Sequence, residues 1–149
     1  MGRRRLGRET AFKALYRIDV TGKDLEDALG GLAEDRDTDP EALGFARDLL
    51  ETVGAHGIRL DRVLQAAAEH WTLERMAVVD RSILRLGSAE ILYWPWIPDR
   101  VSIDEYVEIA KKFGTEESPR FVNAILDRVA REAREDAGKE AGTGAEEAE

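Results

Sequence analysis

Met76-Ala77-Val78-Val79-Asp80-Arg81-Ser82-Ile83-Leu84-Arg85-Leu86-Gly87-Ser88-Ala89-Glu90-Ile91-Leu92-Tyr93 lies in the middle of a chain of 149 residues. Met76, Val79, Ile83, Leu86 and Glu90 recur there at steps of three and four, the spacing of one helical face and not the alternation of a strand. Thr72 stands where an N-cap belongs. The spacing therefore predicts a helix over about 73–93, ended by the loop Trp94-Pro95-Trp96-Ile97-Pro98.

The same period continues on both sides. Upstream, a first helix is predicted over about 4–20, with Ala11, Leu15 and Ile18 inward, and a short second one near 24–34 with Leu25, Leu29 and Leu32. A third opens at Asp39 as N-cap with Pro40 at the first helical position. It runs through Phe45, Leu49 and Val53 and, past the flexible Gly57, through Leu60, Val63 and Leu64. Downstream, Ser102-Ile103-Asp104-Glu105 reads as a capping box, with Val101 and Tyr106 as its hydrophobic staple. That helix is expected to stop at Gly114 in a left-handed cap. Ser118, followed by Pro119, caps a last helix that turns Phe121, Ile125 and Val129 inward. Past about residue 136 the chain is Gly, Ala and Glu without apolar period, which predicts a disordered tail. Six helices and no strand imply an all-α helical bundle: one domain over residues 1–135, followed by an acidic tail over 136–149.

Composition agrees with a globular, highly charged chain, 43% hydrophobic and 36% charged. The absence of cysteine excludes disulfides and thiolate metal sites and suits a reducing cytoplasm. Arg3, Arg4 and Arg5 are not followed by an apolar run, so no signal peptide is expected. Ile91–Ile97 is far shorter than the roughly 20 residues of a membrane helix, so the expectation is a soluble, cytoplasmic protein.

The net charge of −9 would repel phosphates, but the charge is unevenly spread. Residues 1–20 carry Arg3, Arg4, Arg5, Arg8, Lys13 and Arg17 against Glu9 and Asp19. Residues 136–149 carry Asp136, Glu140, Glu146, Glu147 and Glu149 against Lys139. One end is basic and the other acidic.

Catalytic signals are lacking. His56 and His70 are 14 residues apart, not the three or four that place two metal ligands on one helical face. There is no nucleophile elbow, no phosphate-binding glycine loop and no cysteine nucleophile. Asp104/Glu105 and Glu116/Glu117 sit at predicted helix starts, where the dipole favours them. No catalytic residue, metal site or cofactor is expected. Arg3, Arg4, Arg5 and Arg8 place four guanidinium groups within two turns. They read either as a solvated terminus or as a nucleic-acid contact, for which bidentate phosphate binding and base stacking suit arginine. Glu90 interrupts an apolar stripe and reads first as a tie to a neighbouring helix, because an unpartnered buried carboxylate is costly. Arg81, Arg85 and Ser88 form a second polar face for RNA or water. Arg120-Phe121 at a helix start can hold a phosphate and stack a base; Phe121 reads equally well as core. A module that binds only proteins, with its arginines serving an acidic partner, is the competing class.

Three stretches carry a resemblance. Arg8-Glu9-Thr10-Ala11-Phe12-Lys13-Ala14-Leu15-Tyr16, Asp80-Arg81-Ser82-Ile83-Leu84-Arg85-Leu86 with Glu90-Ile91-Leu92, and Val101 through Gly114 followed by Phe121-Val122-Asn123-Ala124-Ile125-Leu126-Asp127 resemble the NusB family of bacterial transcription antitermination factors. The likeness runs from about residue 3 to 132. It implies two three-helix bundles and a role without catalysis: binding the boxA element of ribosomal RNA transcripts with a small-subunit ribosomal protein, NusE. That assembly joins RNA polymerase in an antitermination complex that prevents premature termination. By position, the resemblance assigns RNA contact to Arg3, Arg4, Arg5, Arg8, Arg85, Arg120 and Phe121. It assigns partner contact to Tyr16, Glu74 and Asp80, whose carboxylates suit a basic ribosomal protein. A related domain precedes the catalytic domain of some RNA cytosine methyltransferases; with no methyl-donor fold here, the standalone factor is expected. The resemblance leaves open whether two copies pair as a homodimer. The acidic tail and the Trp94-Pro95-Trp96 loop depart from the family pattern and receive no role.

Overall fold

The computed structural model describes residues 2–33 and 39–148. Seven α-helices follow in order: α1 (Arg3–Thr21), α2 (Leu25–Ala33), α3 (Pro40–Ala55), α4 (Gly57–Ala67), α5 (Val78–Tyr93), α6 (Asp99–Phe113) and α7 (Ser118–Ala148), with a single 3₁₀ turn at Leu73–Arg75. No strand occurs among the described residues, and no helix is long and apolar enough to cross a membrane.

Helices α1, α2 and α3 pack on one another, as do α5, α6 and α7. The two groups of three meet where α1 and α3 lie on α5, and α4 lies against α5 and α7. Residue pairs give the directions. Arg3 meets Glu41 and Arg5 meets Glu105, so α3 and α6 run parallel to α1. Arg8 meets Glu90 while Asp19 meets Arg81, so α5 runs antiparallel to it. Ile83, Leu84, Leu86 and Ala89 of α5 are fully buried among Leu49, Leu60, Leu64, Tyr106 and Leu126. That places α5 at the centre, as its nearly continuous apolar surface requires.

Local signals in the sequence hold at some helix ends and fail at others. Asp39 caps α3 as expected, its carboxylate accepting from the Glu41 N–H at 3.0 Å with Pro40 at the first position. The third predicted helix is two, because the chain breaks at His56 and restarts at Gly57. The predicted 73–93 helix begins only at Val78; Leu73–Arg75 is 3₁₀, Met76 and Ala77 are extended, and Thr72 makes no side-chain cap. The capping box at Ser102 is overturned. Helix α6 starts one turn earlier, at Asp99, and the Ser102 hydroxyl is drawn inward to Glu90. Gly114 is not left-handed but extended, at φ −94° and ψ −167°. Its lack of a side chain matters for another reason: a Cβ there would sit 2.5 Å from the Ser118 Cβ and 2.9 Å from the Ala110 carbonyl oxygen. Ser118 closes this turn by accepting from the Thr115 N–H at 2.9 Å, where a cap on α7 had been expected.

Two further expectations need comment. Helix α7 continues to Ala148, where the sequence reading expects no regular structure past about residue 136. Alanine and glutamate, frequent there, are strong helix formers that need no apolar face to extend a helix already nucleated. Leu25 and Leu29 of α2 face the core, whereas the side chain of Leu32 lies outside the described residues.

Candidate nucleic-acid interface

Helix α1 carries the arginine cluster, and its surroundings sort the four members. Arg3 reaches Glu41 of α3 at 2.7 Å and lies 3.5 Å from Asp39, yet stays two-thirds exposed. Arg5 makes a two-pronged bond to Glu105 of α6 at 2.7 and 2.9 Å. That hydrogen bond, helped by the charge of Arg5, holds the Glu105 carboxyl below its ordinary value. Arg4 is exposed, lines a cleft beside Trp96 and forms no ion pair among the described residues. Arg3, Arg4 and Arg5 thus present exposed guanidinium groups on the first turn of α1.

Arg8 leaves this set, which corrects its expected role as an RNA contact. Only 2% of it is exposed, and both its Nε and Nη2 donate to Glu90, at 2.9 and 2.8 Å. Glu90 is completely buried. One of its oxygens also accepts from Ser102 at 3.0 Å and the other from the Tyr106 hydroxyl. Each carboxylate oxygen therefore receives two donors, which fills its acceptor capacity. Burial opposes the charge on Arg8, but the hydrogen bonds and charge of Glu90 outweigh it and raise the guanidinium pKa. Burial, then the charge of Glu90, pushes the Tyr106 phenol well above its ordinary value. Glu90 thus ties α5 to both α1 and α6, the structural role its place in the apolar stripe suggests.

Arg85 projects from α5 at the other end of α1. Its Nε and Nη2 donate to Asp61 of α4 at 2.8 and 3.0 Å, and its Nη1 lies 3.2 Å from Asp19. Burial disfavours its charge, and the bonds to Asp61 more than restore it. Arg81 shares Asp19 at 3.3 Å. Ser88 is not on this polar face; it is fully buried with no hydrogen-bond partner for its hydroxyl among the described residues. Between Arg5 and Asp19 lie about 20 Å of helix at 1.5 Å per residue. The structure consequently places Arg85 at the opposite end from Arg3, Arg4 and Arg5.

Arg120 is exposed on the first turn of α7, and Phe121 beside it is half-buried. Phe121 packs on the core while its ring meets Trp71 edge-on, the centroids 6.3 Å apart. Trp71 is 57% exposed. Sequence reasoning missed it, since an isolated tryptophan between two helices carries no periodic signal. It also missed Glu105, Asp19 and Asp61, whose pairing with arginines up to 100 residues away leaves no local trace.

The expected partner-binding residues fall in two places. Tyr16, 39% exposed, joins Phe12, Lys13, Arg17, Val79 and Phe113 around a shallow cleft of about 280 Å³. Asp80 follows Val79 in the first turn of α5, with one carboxylate oxygen buried and unpartnered among the described residues. Glu74 instead lines a cleft with Asp61, Gln65, Arg81 and Arg85.

The pattern of the NusB family matches residues 5–131. The chain is 46% identical over 134 residues to the transcription antitermination protein NusB of Myxococcus xanthus, covering 87% of this chain and 96% of that one. It is 44% identical over 128 residues to NusB of Desulfitobacterium hafniense, covering 85% and 86%. Among solved structures it resembles T. maritima NusB with a TM-score of 0.80 at 41% identity, over 89% of this chain and 92% of that one. It also resembles NusB in a crystal structure of the antitermination factors NusB and NusE with double-stranded RNA, with a TM-score of 0.79 at 27% identity over 87% and 96%. With the family pattern spanning the whole two-part bundle, the chain belongs to the NusB family.

Proposed function

We propose that this protein is a transcription antitermination factor that binds boxA RNA of ribosomal RNA transcripts together with NusE. In the antitermination complex on RNA polymerase it prevents premature termination. The observation that carries the reading is the family match along the folded chain, including a relative seen with both NusE and RNA. The role is one of binding, without catalysis, in the cytoplasm.

On this reading Arg3, Arg4 and Arg5 supply attraction to phosphate at one end of α1. Arg120, Phe121 and Arg85 meet the strand at the other, so a bound single strand runs at least the roughly 20 Å between them. Phe121 supports this by standing half-buried beside the exposed Trp71 and Arg120, a place where a base can stack against a fixed ring. Arg85 enters already held by Asp61 and Asp19, so its contact is pre-positioned at the cost of sharing its charge. Tyr16, at the cleft it shares with Val79, and Asp80, the next residue of α5, meet NusE, and Glu74 meets it from the separate cleft that it lines with Arg81.

Titration of a boxA-like single strand and a scrambled strand, each with and without NusE, tests the reading. Preferential binding of boxA, strengthened by NusE, is expected. Replacing Arg3, Arg4 and Arg5 together by alanine should weaken affinity and flatten its salt dependence, since log K falls by about 0.7 per neutralised phosphate per decade of salt. Equal binding of both strands by the wild-type protein would overturn sequence-selective RNA recognition.

A further inference from the structure

The loop Trp94-Pro95-Trp96 plays no part in the reading above, yet its two indoles behave very differently. Trp94 is buried, edge-on to Phe45 at 5.3 Å, and its N–H donates to Thr52 at 3.2 Å. Trp96 stacks on Trp94 at 5.5 Å with an interplanar angle of 22° and stays 65% exposed. A large aromatic ring is thus held rigidly at the surface by a second one beneath it. In front of it opens a cleft of about 550 Å³ lined by Arg4, Asp48, Glu51, Thr52 and the two tryptophans.

Three chemically distinct walls meet in this cleft. Arg4 brings a guanidinium, α3 brings the carboxylates of Asp48 and Glu51 one turn apart, and Trp96 brings a π face. None of these charged groups forms an ion pair among the described residues, whereas neighbouring Arg3 and Arg5 both do. A simple anion is repelled by the two carboxylates and a simple cation by Arg4. A nucleotide complements all three walls: its phosphate suits Arg4, its base suits an indole platform, and its ring N–H donors suit a carboxylate.

We infer that this cleft is a nucleotide subsite that takes one unpaired base of single-stranded RNA. The base stacks on Trp96, its phosphate lies on Arg4, and Asp48 or Glu51 accepts hydrogen bonds from its edge. A carboxylate selects a base that offers adjacent N–H donors, above all guanine, over uracil, whose single N–H is flanked by acceptors. The inference rests on the RNA-binding reading and deepens it. It adds a base-reading element to an end of the molecule where Arg3 and Arg5 supply only charge.

The test uses the full-length protein and a fluorescently labelled boxA-like strand in which each nucleotide in turn is made abasic. Trp96→Ala should weaken binding roughly 5- to 100-fold without changing the salt slope, because no charge is lost. Trp96→Phe should retain most of the affinity, which separates loss of a stacking ring from local unfolding. One abasic position should cost the wild-type protein a similar factor and cost Trp96→Ala nothing. Asp48→Asn combined with Glu51→Gln should abolish any preference for guanine over uracil at that position. A wild-type protein that binds RNA, with Trp96→Ala losing nothing or losing equally at every abasic position, overturns the subsite while the RNA reading stands. No RNA binding by the wild-type protein overturns both. Weaker binding of NusE alone by Trp96→Ala would assign the cleft to a partner's side chain and likewise overturn the subsite.

Discussion

Arg5 and Arg8 stand three residues apart on α1 and have opposite fates. Arg5 reaches an exposed edge and Glu105; Arg8 passes into the interior and meets Glu90. Removing one member of a buried, hydrogen-bonded ion pair strands the other charge, at a cost of about 3–5 kcal/mol. Arg8→Ala should therefore lower the urea midpoint by an amount equivalent to that range. The triple change Arg8→Met, Glu90→Leu and Tyr106→Phe should cost less than Arg8→Ala, since no charge is left stranded and of the Glu90 donors only the Ser102 hydroxyl loses its acceptor. Equal losses from the single and combined changes would show that the stranded charge does not carry the effect. Tyr106 gives the same site a pH signature. Folding raises the phenol's pKa, so the native state holds a proton that the unfolded phenol releases above about pH 10. Its contribution to stability is complete below that pH and declines as pH rises further. Stability measured by urea unfolding from about pH 8 to 11 should fall more steeply for the wild-type protein than for Tyr106→Phe.

Among the helices, close approach decides as much as apolar period. Gly87 of α5 faces Leu126 of α7, and an added Cβ would come within 2.7 Å of the Leu126 Cδ1 and 3.3 Å of the Tyr106 ring. Both neighbours are fully buried, so neither has room to turn aside. Gly87→Ala should destabilise by about 1–3 kcal/mol, although alanine favours helix, because overpacking outweighs propensity. An unfolding midpoint at or above the wild-type value would refute this. What the sequence made legible at this level was helix type and face: the step of three and four in α5, the Asp39-Pro40 start and the inward side of α7 all appear in the structure. Helix ends were read less well. Ser102 has every local mark of a cap, yet Glu90 claims its hydroxyl from a helix 12 residues earlier. Gly114 was rightly marked as a stop, but the reason is the nearness of Ser118 and not a left-handed backbone. A local pattern records what a residue can do; packing decides which of those options is used. The candidate site shows the same split. Arg3, Arg4 and Arg5 were recognisable from clustering alone, whereas the burial of Arg8 depends on an acceptor 82 positions away.

Taken whole, the molecule brings its basic beginning and its acidic C-terminal helix to the same end. Arg134 of α7 bonds Asp99 at the start of α6 at 2.8 Å, and Arg5 bonds Glu105 further along the same helix. Around Arg134, α7 therefore reaches the end where α1 begins, and the sequence that follows, residues 136–149, is net negative. On the proposed function, an acidic extension near Arg3, Arg4 and Arg5 would compete with RNA over roughly a Debye length, about 10 Å at 0.1 M salt. Deleting residues 136–149 should raise RNA affinity at low salt and matter little at high salt. Equal affinities at low salt would rule out such competition.

The bond between Arg8 and Glu90 also governs how the beginning of the chain behaves in time. Helix termini ordinarily fray on fast timescales and exchange their amide protons readily. Here the second turn is bolted to a fully buried carboxylate, so the basic end can loosen only as far as Leu6 before the interior opens with it. Amides from about Ala11 onward, whose acceptors begin at Gly7, should exchange with solvent nearly as slowly as those of α5. Trimming the chain past Arg8 should lower the unfolding midpoint by at least as much as Arg8→Ala, so truncations meant to probe RNA binding should stop before it.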